Sequence, residues 1–317
     1  MATILSNSHL NLAEAQKRAL YDGSRGILAE LEETNEILKV APWYPSSNGS
    51  IHKYVKAKAL GKGGLVDVNG AIPTLSSQAD VEIMQILDYE GLSKIDEKLL
   101  SDSENPEAVR NSEDLMNAEG FMNEYMSMVI YGKGDFKGFA NLRPALETKR
   151  VWSAGGSGSD VTSAWLVEWG EHGVNFRYPN AATPGFINED RGRQLVKSAD
   201  NAGEMFAWLR FFAIKSGLHI YNEKCLLRMA NIETSGSSNL FDSKIAVEMK
   251  NTLPHKGKYA TWLVNSTVMA QIENSLLDKA NIAFSRREVE GFGPVTYCVG
   301  IPVLCMDAIL DTESALS

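Results

Sequence analysis

The stretch NPEAVRNSEDLMNAEGFMNEYMSMVIYG, residues 105–132, carries the strongest secondary-structure signal in the chain and decides the fold. Asn105 suits a helix N-cap, Pro106 suits the first helical position, and Gly132 suits a C-terminal stop. Between them, apolar residues recur near helical spacing at Ala108, Leu115, Ala118, Met122, Met126 and Val129. These features predict one helix over about 105–131, which at a rise of about 1.5 Å per residue is a rod about 39 Å long.

The segment GGSGSD, residues 155–160, is the stretch that most invites a chemical interpretation. It precedes VTSAWLVEW, residues 161–169, whose period-two alternation and whose aromatic and β-branched content predict a strand. Phosphate-binding loops and the nucleophile elbow of hydrolases lead into a helix instead. We therefore interpret the glycine-rich segment as a connection between β-strands.

The remainder of the chain after residue 170 alternates between structured and loop-like patterns. Residues 173–193 contain Pro179, Pro184 and Gly185 and are predicted to be rich in loops, whereas Phe206 to Ile214 fits either a helix or a strand. Apolar spacing predicts helices over 242–253 and 265–277, and short strands at 262–264 and within 294–304.

The first 40 residues predict two short amphipathic helices separated by Asp22-Gly23. Isolated helices shorter than about 12–15 residues are marginal in water, so their apolar stripes must dock on something. A neighbouring subunit is the natural acceptor, as in arm exchange between protomers. The candidate contact residues in this arm are Leu12, Ala15, Ala19, Ile27, Leu28 and Leu31.

Residues 51–90 predict a long, exposed β-hairpin rather than a unit with its own core. The sequence IHKYVKAK, residues 51–58, is basic and roughly alternating, and Gly61-Lys-Gly-Gly64 and Asn69-Gly70 mark turns. The basic residues of this segment are further candidates for subunit contacts: Lys53, Lys56 and Lys58.

Composition excludes several classes of function. The 317 residues are 44% apolar and 22% charged, which is ordinary for a chain that buries a core, and the net charge of −9 argues against a broad nucleic-acid-binding face. The three cysteines form no CxxC pair and the five histidines show no ligand spacing, so neither a metal nor a cofactor is expected. No apolar run approaches the about 20 residues that a membrane span requires.

A series of short motifs, in a fixed order between about residues 90 and 315, resembles one protein family. The motifs are SKID (93–96), GGSGSD (155–160), WLVEWG (165–170), YP (178–179), RMANI (228–232), GIP (300–302) and DAIL (307–310). In this order they resemble the major capsid proteins of tailed bacteriophages with the Hong Kong 97-type coat fold, in particular the branch found in certain short-tailed phages.

The resemblance implies an α+β fold with five parts. These are an N-terminal arm (1–44), an extended β-hairpin loop (45–92), a peripheral domain with a long spine helix (93–234), an axial domain (235–300) and a C-terminal return segment (301–317). It also implies a structural protein, not an enzyme, that is made in the bacterial cytoplasm and ends in the virion. Copies would assemble as hexamers and pentamers into an icosahedral shell, which encloses double-stranded DNA without sequence-specific binding and without a membrane. Portal and scaffolding proteins, and in some shells a cement or decoration protein, would be the partners.

Two other classes of function remain as alternatives. One is a serine hydrolase in which Ser157 or Ser159 acts with Asp160 and with His172 or His219, a reaction that needs a base within hydrogen-bond reach and an oxyanion donor. The other is a virion decoration or tail protein, which we expect to be richer in β-structure and to lack the arm and the long helix.

Overall fold

The computed structural model describes residues 37–59, 61–102, 104–147, 149–182, 184–197, 203–277, 283–289 and 293–317. The helices within these ranges are α1 (Ile37–Val40), α2 (Glu97–Ser101), α3 (Pro106–Tyr131), α4 (Phe139–Leu142), α5 (Ser243–Thr252) and α6 (Ser266–Leu276). The strands are β1 (Trp43–Pro45), β2 (Ile51–Ala59), β3 (Gln78–Gln85), β4 (Leu87–Asp96), β5 (Val151–Ser153), β6 (Val161–Glu168), β7 (Val174–Tyr178), β8 (Phe186–Lys197), β9 (Glu204–Ile220), β10 (Leu226–Glu233), β11 (Ala260–Val264), β12 (Phe284–Val289), β13 (Gly293–Cys298) and β14 (Ile301–Cys305). The arm residues Leu12, Ala15, Ala19, Ile27, Leu28 and Leu31 lie outside the described residues.

Helix α3 is the long helix that the sequence predicts, and its two ends are fixed by the expected residues. The Asn105 side chain accepts a hydrogen bond from the Ala108 N–H at 3.2 Å, and Pro106 occupies the first turn. At the other end Gly132 takes φ 76° and its N–H donates to the Met128 carbonyl oxygen. One side of the helix is buried in a core that contains Ala118, Met122, Tyr125, Met126, Val129 and Ile130.

A five-stranded sheet packs against α3. Its order is β1-β7-β9-β4, and β8 also pairs with β9. The rings of Tyr89, Phe186 and Phe212 lie 4.5–6.1 Å from the ring of Phe121 on α3, measured between centroids. Leu100, on α2 just after β4, is buried as well.

The segment from Phe206 to Ile214, whose apolar spacing fits either a helix or a strand, is a strand, because it lies entirely within β9. The prediction that 173–193 is rich in loops is wrong, since β7 and most of β8 fall in this stretch. Pro179, Pro184 and Gly185 lie in the turn between the two strands, and both strands pair with β9. Pairing with a strand that comes later in the chain leaves little signal in the local sequence.

A second sheet has seven strands in the order β12-β13-β14-β11-β6-β10-β5. The predicted strand β6 is present, and every one of its residues is buried, on both faces. Trp165 and Val167 belong to the core that contains α3, whereas Ala164 and Leu166 belong to a second core under α5 and α6. Strands β5, β6 and β10 precede residue 235, yet they share this sheet with β11 to β14.

The third sheet is the β2–β3 hairpin, whose second strand leads directly into β4 of the five-stranded sheet. Within the described ranges, no helix is both long enough and apolar enough to cross a membrane.

Candidate subunit interface

The hairpin has two chemically different faces because successive side chains of a strand point to opposite sides. The pairs Lys53 with Ile83 and Val55 with Val81 lie side by side on one face, in antiparallel register. The opposite face carries the pairs His52–Met84, Tyr54–Glu82 and Lys56–Asp80. We call the first the apolar face, defined by Ile51, Val55, Val81 and Ile83, and the second the charged face, defined by His52, Tyr54, Lys56, Lys58, Asp80 and Glu82.

The apolar face is open to solvent in the single subunit. Val55 is 56% exposed, and Val81 and Ile83 are each 65% exposed. The segment that connects β2 to β3 adds further exposed apolar side chains, among them Leu65, Val68, Ile72 and Leu75. Contiguous apolar surface of this kind marks sites of contact with other proteins. The hairpin is therefore the strongest candidate interface in the described part of the chain.

The charged face, by contrast, makes contacts within its own chain. Lys56 Nζ lies 2.5 Å from Glu223 Oε1 and 3.6 Å from Glu82 Oε1, and its hydrogen bond to Glu223 raises the pKa of Lys56. Lys58 Nζ lies 3.1 Å from Asp80 Oδ2. Of the three lysines proposed as subunit contacts, Lys53 alone lies on the exposed apolar side.

The apolar residues of the hairpin are the interface candidates that reasoning from charge overlooked. Val55 lies directly between two residues of the charged face, and Val81 and Ile83 alternate with Asp80 and Glu82. This period-two alternation was the signal that could have found them.

The residues of the proposed hydrolase are not brought together. Ser157 and Ser159 are exposed in the loop that joins β5 to β6, and the Ser157 N–H lies 3.3 Å from Glu233 Oε1. His172 is exposed, and its ring lies 5.2 Å from that of Tyr221. Among the described residues, no hydrogen bond links either serine to a histidine.

His219, the other candidate base, is only 1% exposed on β9 in the five-stranded sheet. Burial, together with the positive charge of Arg177 and the neighbouring His52, lowers the pKa of His219 to about 3. Such an imidazole is a poor proton acceptor near neutral pH, where general bases are most effective.

The glycine-rich loop is a β-connection, as its sequence indicates. Gly158 takes φ 94°, and a Cβ on Gly156 would lie 2.6 Å from the Asn231 carbonyl oxygen. The glycines are therefore explained by backbone geometry.

A buried ion pair ties the C-terminal segment to the seven-stranded sheet and to α3. Arg228 Nη2 lies 2.9 Å from Glu313 Oε2, and the two side chains are 5% and 6% exposed. Ser163 Oγ donates to the same carboxylate at 2.5 Å, and the Tyr131 hydroxyl at the end of α3 donates at 2.7 Å. Burial, followed by the Glu313 charge, raises the pKa of Tyr131. We call these four residues the C-terminal clasp.

Cysteine and metal chemistry find no support in the described residues. No group of three or more His, Cys, Asp or Glu side chains in these ranges is arranged to hold a metal ion. Cys225 is buried, and burial with the nearby Glu168 carboxylate raises the pKa of its thiol to about 12. A thiol in this state is not an activated nucleophile.

The β2–β3 hairpin, the long helix against a five-stranded sheet, and the second mixed sheet agree with the Hong Kong 97-type coat fold that the sequence resembles. The chain is similar to a chain of bacteriophage Epsilon15, with 25% sequence identity, a TM-score of 0.66, and coverage of 89% of this chain and 90% of that chain. It also shares its fold with the capsid of bacteriophage JBD30, at 12% identity and a TM-score of 0.50, with coverage of 93% and 98%. No curated protein sequence matches it. The model of the family "Major capsid protein GP7" matches residues 22–317, and the chain belongs to this family.

Proposed function

We propose that the chain is the coat subunit of a tailed phage, which assembles with copies of itself as hexamers and pentamers into an icosahedral shell around double-stranded DNA. The exposed apolar face of the hairpin is the observation that carries the proposal, because a neighbouring copy would bury it. The net charge of −9 agrees with a shell that encloses DNA without holding its phosphates tightly. The role is structural and not enzymatic, in keeping with the separation of the serines from the histidines.

The remaining partners belong to the same proposal. Lys53 and the arm residues Leu12, Ala15, Ala19, Ile27, Leu28 and Leu31 contact neighbouring copies, and portal, scaffolding and decoration proteins complete the particle. A truncation that tests the arm contacts should end at residue 36, because Ile37 and Val40 are buried in the core with Trp43. The domain limits proposed from the resemblance (1–44, 45–92, 93–234, 235–300 and 301–317) likewise remain a proposal.

The free energy that burial of the apolar face contributes to a subunit contact follows from the surface that is still exposed. Full burial of a Val or Ile side chain contributes about 1.5–3 kcal/mol. Val55, Val81 and Ile83 have more than half of their surface still to bury. Each would therefore contribute about 1–2 kcal/mol to a subunit contact, and that contact recurs at every subunit of a closed shell.

The test compares two sets of substitutions on opposite faces of the same strands. Val55→Ser, Val81→Ser and Ile83→Ser together should leave a folded subunit that no longer forms shells, as seen by electron microscopy and analytical ultracentrifugation. The matched control, Lys58→Ser with Asp80→Ser, removes an exposed ion pair worth about 0–1 kcal/mol and should assemble normally. Normal shells from the triple variant would refute the proposed contact. Loss of shells from the control variant alone would show that the charged face, not the apolar face, makes the subunit contact.

A further inference from the structure

The base of the hairpin rests on the subunit through a cluster of three rings. His52 and Tyr54 come from β2, and His219 comes from β9. The centroid of the His219 ring lies 4.9 Å from that of His52 and 4.5 Å from that of Tyr54, and His52 and Tyr54 lie 5.9 Å apart. The Lys56–Glu223 ion pair is the next contact along β2. These side-chain contacts hold the hairpin against β9 and Glu223, in addition to its backbone base, where the Ile86 N–H donates to the Ser50 carbonyl oxygen at 2.8 Å and β3 leads into β4.

The geometry requires both imidazoles to be neutral. His52 Nδ1 accepts a hydrogen bond from the Ser47 N–H at 3.2 Å, which needs a free lone pair on that nitrogen. The two ring nitrogens of His219 are buried and have no hydrogen-bond partner among the described residues. A second proton on His219 would therefore create a buried cation without an acceptor, and a proton on His52 Nδ1 would remove the acceptor of the Ser47 N–H.

The charged groups around the ring cluster do not offset a positive charge on either histidine. Arg177 on β7 adds a positive charge that lowers the pKa of both histidines. The carboxylates nearest to the cluster are already engaged, since Glu82 on β3 accepts from the Tyr54 hydroxyl at 2.5 Å and Glu223 pairs with Lys56. The titratable and charged groups that face the rings are thus Tyr54 and Lys56 from β2, Glu82 from β3, Arg177 from β7, Tyr221 after β9, and Glu223.

We propose that His52 and His219 form a pH-sensitive latch, which seats the hairpin on the subunit at neutral pH and releases it in mildly acidic solution. Protonation removes the acceptor for Ser47 and places a cation beside Arg177 and the second ring. The released hairpin exposes both imidazoles to water, which stabilises the charged form. Because the latch lies within one chain, it does not depend on the proposed coat function.

The direction of the effect follows from the pKa of each state. Burial, then Arg177 and His52, lowers the pKa of His219 from an ordinary 6.5 to about 3 in the seated hairpin, and burial followed by Arg177 lowers the pKa of His52. The seated state is therefore fully favoured above pH 6.5 and loses stability as the pH falls through the window between the two values. Each pH unit in that window lowers the ratio of seated to released hairpin about tenfold. The ratio at pH 4.5 is therefore about 100-fold lower than the ratio at pH 6.5.

The neighbouring ion pair persists across this pH range. The hydrogen bond from Lys56 lowers the pKa of Glu223 below its ordinary 4.5, so this contact stays charged down to that pH. The histidines gain their charge as the hairpin is released, because burial holds the pKa of His219 low while the hairpin is seated.

The test measures the distance between the hairpin and the body in the full chain, kept unassembled at low concentration. Nitroxide labels on Val68→Cys, in the exposed connecting segment, and Val247→Cys, on α5, allow pulsed electron spin resonance in a Cys305→Ser background. We expect one distance population at pH 7.5 and a second, longer or broader one as the pH falls from 6.5 to 4.5. Circular dichroism at each pH shows that the fold is retained, and only pH values with an unchanged spectrum are used.

Two variants separate the latch from a general effect of acid. His52→Phe with His219→Phe keeps aromatic packing and removes the titration, so it should show one population throughout. His172→Phe, at an exposed ring that contacts Tyr221 but neither latch histidine, should behave like the parent chain. A parent chain with one unchanged population down to pH 4.5, or a double variant that opens as the parent does, would overturn the proposal. The parent measurement decides the question alone if the double variant does not fold.

Discussion

Replacement of Glu313 by alanine should destabilise the subunit more than any other single change of a charged residue in the C-terminal segment. The carboxylate is 6% exposed, and its loss leaves the 5% exposed Arg228 guanidinium without its counter-ion. It also removes the acceptor of the Ser163 and Tyr131 hydroxyls. Breaking a buried ion pair from one side costs about 3–5 kcal/mol, because an uncompensated charge stays buried.

In the Glu313→Ala variant, Arg228 keeps some of its partners. The expected loss of stability therefore lies at the lower end of the range of about 3–5 kcal/mol. The Arg228 Nε donates to Ser163 Oγ at 2.9 Å, its Nη1 donates to the Arg143 carbonyl oxygen at 3.0 Å, and its guanidinium lies 4.8 Å from the Trp165 ring. We therefore expect Glu313→Ala to lower the free energy of unfolding by about 3 kcal/mol. Arg228→Met with Glu313→Leu, which removes both charges, should recover most of this loss.

The assay is chemical denaturation of the unassembled subunit, followed by circular dichroism. Glu124→Ala is the matched control, because Glu124 pairs with Lys133 at 2.6 Å on the surface, where an ion pair contributes little to stability. If Glu313→Ala and Glu124→Ala lower the free energy of unfolding equally, the clasp does not stabilise the fold as we describe.

Four further variants test other parts of the structure. Asp114→Ala removes the buried carboxylate 2.8 Å from the Arg210 guanidinium, whereas Asp190 Oδ2 remains 3.9 Å away, so it should cost about 3 kcal/mol in the same denaturation assay, and a cost below about 1 kcal/mol would contradict the role of the buried Asp114 carboxylate. Gly132→Ala should cost at least about 1–3 kcal/mol of stability, because φ is 76° and the new Cβ would lie 2.7 Å from the Phe136 carbonyl oxygen. Gly120→Ala, within α3 where the space around the new Cβ is open, should instead raise stability by about 0.5–1 kcal/mol. Ser157→Ala with Ser159→Ala should leave shell assembly intact by electron microscopy and change stability by less than about 1 kcal/mol, and loss of assembly with an unchanged fold would reopen a specific role for this loop.

The parts of the fold that the sequence predicts well are those fixed by local interactions. Helix α3 has its N-cap at Asn105 and its stop at Gly132, so both ends can be read from neighbouring residues. The helices after Asp242 and Asn265 begin in the same way, because each side chain accepts a hydrogen bond from an N–H in the first turn. The loop before β6 is also identified by what directly follows it in the chain.

The features that escape prediction depend on residues far apart in the chain. Strands β7 and β8 form because β9 pairs with both, and the clasp joins Glu313 to Ser163 across 150 residues. The hairpin itself is predicted, but its faces depend on the register between β2 and β3. Charge drew attention to Lys56 and Lys58, whereas their carboxylate partners become apparent only in the folded chain.

A cryo-electron microscopy reconstruction of the particles formed by the purified chain, alone or with a scaffolding protein, would show directly what covers the apolar face. We expect a closed icosahedral shell in which Val55, Val81 and Ile83 of each hairpin are covered by a neighbouring copy. A chain that stays monomeric at high concentration under all such conditions, or a shell that leaves these three side chains open to solvent, would contradict this expectation.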